Sequence, residues 1–452
     1  MTEPLRVAVV GAGPAGFYAC EHLLAEAPGA VEVSLIDRLP TPFGLVRSGV
    51  APDHQSIKGV TRVYDRIAAD PRVTFHGNVE HGRDLRHDDL LAYFHAVIYC
   101  VGCRSFRHLG IPGEALPGRA SAGDFVGWYN AHPDQRTRRF DLSGERAVVV
   151  GVGNVALDVA RMLLTPAEVL ATTDMADHAL AALAQSNIRE VTLLGLRGPA
   201  QVAFTLPELK EFAARDDIDI VIDPQDMKED ATLGPDASRG REQVVALLNE
   251  LAVRPERGCD RRLVIRFMVS PVAFTGDDRV REVEVAHTEL QHNADGVVVA
   301  RPTGSREMLP ADLVLTAIGY RGSALPGVPF DPIRGVIPND RGRVIDPVSG
   351  KARPREYVAG WIKRGPSGVI GTNKPDAYET VDALLHDIQV HPPDPVLGGD
   401  VFARLLQERC GDVVSYAGWE RINAAEIARG EPAGRPRDKF SDIDDMIEVA
   451  GA

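Results

Sequence analysis

Short apolar runs rich in β-branched residues recur along the chain, and several of them stop at a glycine or an acid. Val7-Ala8-Val9-Val10 runs into Gly11, Val31-Glu32-Val33-Ser34-Leu35-Ile36 ends at Asp37, Ala96 to Val101 stops at Gly102, and Ala147 to Val150 stops at Gly151. Runs of this length and composition predict buried strands. Further strands are predicted at 190–195, 218–222, 263–268 and 311–319. Helical patterns open directly after Gly13 and Gly153, and Pro166 interrupts the second of them. Strands alternating with helices predict an α/β fold with parallel sheets. Pro40 to His54 is punctuated by glycine and proline and reads as a functional loop. Charged residues 225–242 read as a solvated excursion, and Ser323–Pro332 as a domain crossing. Apolar character returns at Tyr357–Trp361, followed by a glycine turn and a helix from about Lys374. The tail from Gly430 to Ala452 is polar and partly helical.

Two of the strand-to-helix junctions carry chemistry. Gly11-Ala12-Gly13-Pro14-Ala15-Gly16 and Gly151-Val152-Gly153-Asn154-Val155-Ala156 both match G-x-G-x-x-G/A in the context that motif needs. The first glycine permits the tight turn, the second lets a pyrophosphate approach the backbone, and the small third position packs helix on strand. The pyrophosphate then meets the positive end of the helix. Two such turns imply two dinucleotides, a resident flavin and a visiting nicotinamide. Asp37 stands where an acid accepts hydrogen bonds from a ribose diol. The second unit has no acid there; its next strand runs into Leu196-Arg197-Gly198-Pro199, where a base can meet a 2′-phosphate. The expected architecture is two Rossmann-like dinucleotide-binding domains, the second inserted into the first. Residues 1–105 and 325–452 would bind FAD, and 106–324 would bind NAD(P)H.

Composition narrows the class. The chain has 452 residues, is 44% hydrophobic and 25% charged, and carries a formal charge of −14. That balance suits a folded soluble chain and argues against nucleic acid or anionic membrane as a partner. No apolar segment is long enough to span a membrane, and no signal peptide is read at the N-terminus. Five scattered cysteines suggest a reducing cytoplasm rather than a disulfide framework. No metal site is expected.

Longer strings then become specific. Pro42 to His54, Gly77-Asn78-Val79, Gly153 to Asp158, Arg197-Gly198-Pro199 leading to Ala203-Phe204-Thr205, and Gly360 to Lys374 together resemble the adrenodoxin reductase family of ferredoxin–NADP reductases, and its bacterial members above all. The resemblance runs from residue 5 to about residue 440. It implies that NAD(P)H reduces FAD, which passes single electrons to an acidic iron–sulfur ferredoxin supplying a P450 or another oxygenase. Alongside Gly11, Gly13 and Gly16, it places FAD contacts at Ala15, Asp37, Leu45, His81, Trp361, Gly368, Val369 and Ile370. Alongside Gly151, it places nicotinamide dinucleotide contacts at Gly153, Asn154, Val155, Arg197, Glu208 and Gly368. It sets His54 and Glu211 near the reacting rings. Gly368 to Gly371 ahead of a helix also offers backbone N–H groups suited to a reduced flavin's charge. His54, beside Asp53, is a candidate proton relay.

The chain departs from the family at three of these positions. Leu196 replaces the first of two adjacent arginines for the 2′-phosphate, which makes NADH a candidate beside NADPH. Asp37 replaces a glutamate, and His81 replaces an apolar residue at the flavin adenosine. Two rival functions compete with the reductase. Cys100-Val101-Gly102-Cys103 is the C-x-x-C of a possible pyridine nucleotide–disulfide reductase, and a nucleotide-sensing flavoprotein would bind both dinucleotides without turnover. For ferredoxin, Arg239, Arg241, Arg254, Arg257, Arg261 and Arg262 form a candidate basic patch.

Overall fold

A computed structural model describes residues 3–227, 239–293 and 298–451. It divides into two compact units, Met1–Arg107 with Gly319–Ala452, and His108–Ile318. The first unit holds a seven-stranded sheet. Its order is Asn339–Asp340, Arg343–Ile345, Ala352–Val358, Ala96–Tyr99, Leu5–Val10, Val31–Ile36, Val73–His76. The last five pair in parallel, and the first two add an antiparallel edge. Side chains of Leu5–Val10 alternate between two cores: Leu5, Val7 and Val9 enter one, Ala8 and Val10 the other. A strand buried on both faces has no polar positions to alternate, which is why it reads as a continuous apolar run.

The second unit is built likewise around six parallel strands. They run in the order Arg119–Ser121, Leu313–Thr316, Arg146–Val150, Glu190–Leu194, Arg261–Arg266, Ile218–Ile222. Both units are therefore Rossmann-like, and the second is inserted into the first, as the two glycine turns imply. Several strands end earlier than their apolar runs. The strand of the run expected to reach Gly102 ends at Tyr99: the Cys100 N–H makes a last bond to the Val10 carbonyl, and the Cys100 carbonyl then packs on Gly11, where the partner strand turns away. Likewise 311–319 contributes only Leu313–Thr316.

Pro166 ends the helix Asn154–Leu164, and the chain resumes in Ala167–Leu170 and Asp177–Leu183. One element is absent from the sequence reading. Val269–Thr275, Glu282–His292 and Val298–Pro310 form a three-stranded antiparallel sheet. Most of its last strand is exposed, so it lacks an apolar run. The excursion at 225–242 enters the helix Arg239–Ala252 at its end, and 228–238 lie outside the described residues. The prolines and glycines of 323–332 lie within the first unit. The polar tail is anchored: in helix Ile443–Gly451, Met446 and Ala450 are buried in the same core as Trp419 of helix Tyr416–Gly430.

Candidate functional site

In the first unit the site is assembled from four stretches of backbone. Gly11 has φ +114, and a Cβ there would lie 2.4 Å from the Cys100 carbonyl oxygen. A Cβ on Gly16 would lie 2.0 Å from the Gly11 carbonyl. Both glycines are steric requirements of the turn. The helix Pro14–Glu26 begins with Pro14 and has no side-chain cap on its first turn. Its leading N–H groups are thus offered to a ligand. Gly13 leaves that approach open, its nearest would-be neighbour being the Gly44 Cα at 4.0 Å.

Loop 42–54 folds over this turn. The Phe43 N–H donates to the Ala12 carbonyl at 2.7 Å, and Leu45 opens the short helix Leu45–Ser48. Arg47 grips Glu426 through both guanidinium nitrogens, at 2.8 and 2.5 Å, which ties the loop to helix Tyr416–Gly430. Gly360 also comes close: a Cβ on it would lie 2.7 Å from the Ala15 Cβ. Half-buried Trp361 follows directly, with the Tyr320 ring 5.6 Å away, centroid to centroid.

Asp37 closes the far end of the turn. Its Oδ2 accepts from the Ala12 N–H at 2.7 Å and its Oδ1 from the Leu39 N–H at 3.0 Å. Burial pushes this carboxyl above its ordinary range, while those two N–H groups, and the charges of Arg38 and Arg104, oppose the shift. His81 is buried at 8% exposure, and neither ring nitrogen has a hydrogen-bond partner. At the other end, Gly368, Val369 and Ile370 precede helix Asn373–Val390. One of the backbone donors expected there is taken, because the Val369 N–H bonds to Thr372 Oγ1 at 3.1 Å. Gly371 faces open space.

The C-x-x-C does not look like a redox pair. Cys100 and Cys103 are buried free thiols. Burial pushes Cys103 up to about 12 and Cys100 well above its ordinary range. A thiol held protonated is neither nucleophile nor facile leaving group. Cys100 sits there because its backbone packs on Gly11.

In the second unit Gly151 has φ +133, and a Cβ would lie 2.5 Å from the Ala317 carbonyl oxygen. Helix Asn154–Leu164 again lacks a side-chain cap, and Gly153 leaves the approach clear. Asn154 Oδ1 accepts from the Thr205 N–H at 2.8 Å, and the Val152 carbonyl accepts from the N–H groups of Ala203 and Phe204. The strings 151–155 and 203–205, far apart in sequence, are therefore one structure. Val155 is half-buried on the first turn of that helix. The loop after Glu190–Leu194 leaves Leu196 and Arg197 exposed, with the Leu196 carbonyl accepting from Thr288 Oγ1 at 2.9 Å.

Sequence reasoning missed Arg161. It is 2% exposed and faces three carboxylates: Asp158 at 2.8 Å, Glu211 at 3.5 Å and Glu208 at 3.7 Å. It is the cation that holds Glu208 and Glu211 side by side. The available signal was an arginine three residues after Asp158 on an otherwise apolar helix. His54 belongs to the first unit, just ahead of helix Gln55–Lys58, and Glu211 to the second.

The arginine cluster is not a bare basic patch. Arg254 pairs with Glu250, Arg257 with Asp216 and Asp219, Arg262 with Glu190, and Arg241 donates to the Val202 carbonyl. Three of the six arginines seen in sequence thus have an acidic partner beside them. No helix among the described residues is long and apolar enough to cross a membrane.

Comparison with known proteins agrees with this geometry. The family described as pyridine nucleotide-disulphide oxidoreductase matches residues 5–197. NADPH-ferredoxin reductase FprA of Mycobacterium tuberculosis is 46% identical over 99% of both chains. The mitochondrial NADPH:adrenodoxin oxidoreductase of Arabidopsis thaliana is 41% identical over 99% of this chain and 96% of its own. The structure of Mycobacterium tuberculosis FprA in complex with NADPH superposes with a TM-score of 0.94 and 45% identity, covering 100% of each chain. With identity this high from end to end, and two glycine turns built on the same fold, the chain belongs to the adrenodoxin reductase-like family of ferredoxin–NADP reductases.

Proposed function

We propose that this protein is an FAD-dependent ferredoxin–NAD(P)+ reductase. The observation that carries the reading is the pair of uncapped helix N-termini, each behind a glycine turn that side chains would block, one in each unit. Each offers backbone donors to a pyrophosphate. The full-length likeness to named reductases supports the same assignment.

The first unit fits FAD. Gly11 to Gly16 would hold the pyrophosphate, and Asp37 has lone pairs left over for the ribose diol. Leu45 and Trp361 would flank the flavin, with Gly368 to Gly371 against its polar edge. FAD, when bound, accepts an electron pair from the nicotinamide and passes electrons on singly. In the second unit, Gly151, Gly153, Asn154 and Val155 would bind the nicotinamide dinucleotide's pyrophosphate, and Arg197 its 2′-phosphate. Glu208 and Glu211, fixed by Arg161, would hold the polar end of the nicotinamide. Each NAD(P)H oxidised reduces two ferredoxins and releases one proton, for which His54 beside Asp53 is the proposed relay.

The partner is an acidic iron–sulfur ferredoxin that supplies a P450 or another oxygenase. Five unpaired cysteines favour the cytoplasm as its setting. The disulfide reductase reading is not favoured, since both thiols are buried and held protonated. A nucleotide sensor would bind both dinucleotides but turn over nothing. The test is spectroscopic and kinetic. Purified protein should be yellow, should reduce ferricyanide with NADPH or NADH, and should reduce cytochrome c only when ferredoxin is added. Colourless protein, or yellow protein that turns over no acceptor, would overturn the proposal.

A further inference from the structure

Arg47 and Glu426 form an ion pair that no step of the proposed reaction uses. Their side chains are 9% and 0% exposed, and the two residues stand 379 positions apart in the chain. Taking two charges out of water costs free energy that their attraction returns only when further hydrogen bonds satisfy both, so a buried pair speaks for a fixed geometry more than for added stability. Both partners are satisfied here. Glu426 Oε1 also accepts from the Phe440 N–H at 3.0 Å, and Oε2 from Arg437 Nη1 at 3.4 Å. The Arg47 guanidinium lies over the Trp419 ring, 5.2 Å from its centroid, and the Arg47 carbonyl accepts from Lys439 Nζ at 3.3 Å. The pair thus joins helix Tyr416–Gly430, and the segment that follows it, to the short helix Leu45–Ser48.

What the pair holds is the stretch that lies against the first glycine turn. A Cβ on Gly44 would lie 3.1 Å from the Gly13 Cα, and the Phe43 N–H is bonded to the Ala12 carbonyl. Phe43 has φ +81. A residue with a side chain stays in that region only where its surroundings over-determine it. Those surroundings are the Trp419 ring, edge-on at 5.5 Å, and the Phe17 ring, also at 5.5 Å. Trp419 and Glu426 lie about two turns apart on helix Tyr416–Gly430, and so share a face of it. One helix face therefore fixes both Phe43 and Arg47. Between these two anchors lie Gly44, packed on the turn, and Leu45, the proposed flavin contact.

We infer that Glu426 is a positioning residue for the flavin: by clamping Arg47 it holds Phe43 to Leu45 against the first glycine turn and slows release of the dinucleotide seated there. The inference rests on the flavin reading of the first unit and adds to it a strap from the C-terminal region, acting through Arg47. The test follows exchange of bound FAD for isotopically labelled FAD in excess, on the full-length protein, beside thermal unfolding of the flavin-free chain. Glu426→Gln leaves the Arg47 charge buried without its partner, so it should lower the unfolding temperature and speed exchange. The double replacement, Arg47→Met with Glu426→Gln, removes that unpaired charge and should recover much of the stability. Its FAD exchange should still run about ten- to a hundredfold faster than wild type, the loss expected for a charge-assisted fork. That split is the signature, because a purely structural role would return stability and retention together. Arg47→Lys keeps the charge without the fork, and should speed exchange by about three- to tenfold in a protein that folds. Arg429→Met breaks the half-exposed pair with Asp438 in the same segment, away from the loop, and should leave exchange within about twofold. Wild-type exchange in Arg47→Lys, or in a double variant that has recovered its stability, would overturn the inference. So would Arg429→Met that exchanges as fast as the double variant. Wild type that holds no FAD and takes up none would overturn the flavin reading of the first unit instead.

Discussion

Replacing Leu196 by arginine tests how this chain distinguishes its two nicotinamide coenzymes. Leu196 is 48% exposed, so a longer side chain there displaces no core. Its carbonyl is held by Thr288 Oγ1, and the Arg197 carbonyl accepts from the Met268 N–H, so the backbone under both side chains is fixed. On the proposed reading, Arg197 is the exposed guanidinium of this loop that would meet a 2′-phosphate of up to two negative charges. A second one adds charge-assisted hydrogen bonds worth about 1.5–3 kcal/mol in a sheltered site. Exposure screens that figure, so about 1–2 kcal/mol is expected, or roughly five- to thirtyfold. Wild type should therefore use NADH unusually well for its family. Leu196→Arg should raise kcat/KM for NADPH by that factor, mainly through KM, because the phosphate is remote from the reacting ring. NADH parameters should stay within about twofold, since NADH carries no 2′-phosphate to meet the new charge. The assay is steady-state ferricyanide reduction with each coenzyme at low salt, and the NADPH gain should shrink as salt rises. A strong NADPH preference in wild type, unmoved by Leu196→Arg, would show that another base meets the phosphate and that this loop is misassigned.

Other outcomes follow from single contacts. Gly13→Leu should fold, because a Cβ there meets nothing closer than the Gly44 Cα at 4.0 Å, yet yield colourless protein; an unchanged flavin absorbance would remove the first turn from the flavin site. Cys103→Ala should keep ferricyanide reduction within about threefold, because the transfer needs only nicotinamide against flavin, and loss of flavin reduction in a folded variant would revive the thiol mechanism. Arg161→Met strips the cation from three acids and should destabilise the second unit by about 3–5 kcal/mol, read as a fall in chemical-denaturation midpoint; a change under 1 kcal/mol would refute the cluster's importance. Burial holds His76 and His81 at about 4, below the ordinary histidine value. The unfolded chain then binds more protons than the native one between about pH 6.5 and 4, so stability should fall as pH drops through that window, and a Tm flat from pH 7 to 5 would contradict it.

Much of this protein was legible in its residues because dinucleotide binding depends on backbone. Gly11, Gly16 and Gly151 are forced by approaches of 2.0–2.5 Å to carbonyl oxygens, and no other residue type tolerates them. A constraint that strict leaves a mark at fixed spacing, and the apolar strand before each turn supplies its context. Asp37 was readable for the same reason, at the end of the next strand. The α/β class followed from strands that are buried on both faces.

What the chain alone did not disclose depends on partners distant in sequence. Arg161 meets Glu208 and Glu211 only because two helices of the second unit pack together, so its role has no local signature. The antiparallel sheet at 269–310 escaped because its exposed strand carries polar residues on both faces. The arginines at 239–262 read as a patch, yet Arg254 pairs with Glu250, and Arg257 and Arg262 with Asp216, Asp219 and Glu190, acids distant in sequence that folding brings near. Cys100 and Cys103 match a redox motif by spacing, and burial alone makes them inert. The resemblance places His81 beside the flavin adenosine, but only the fold shows that its ring is buried with no hydrogen-bond partner on either nitrogen. Backbone geometry is written locally, whereas charge balance, thiol reactivity and hydrogen-bond satisfaction depend on what surrounds each group, and tertiary packing decides that.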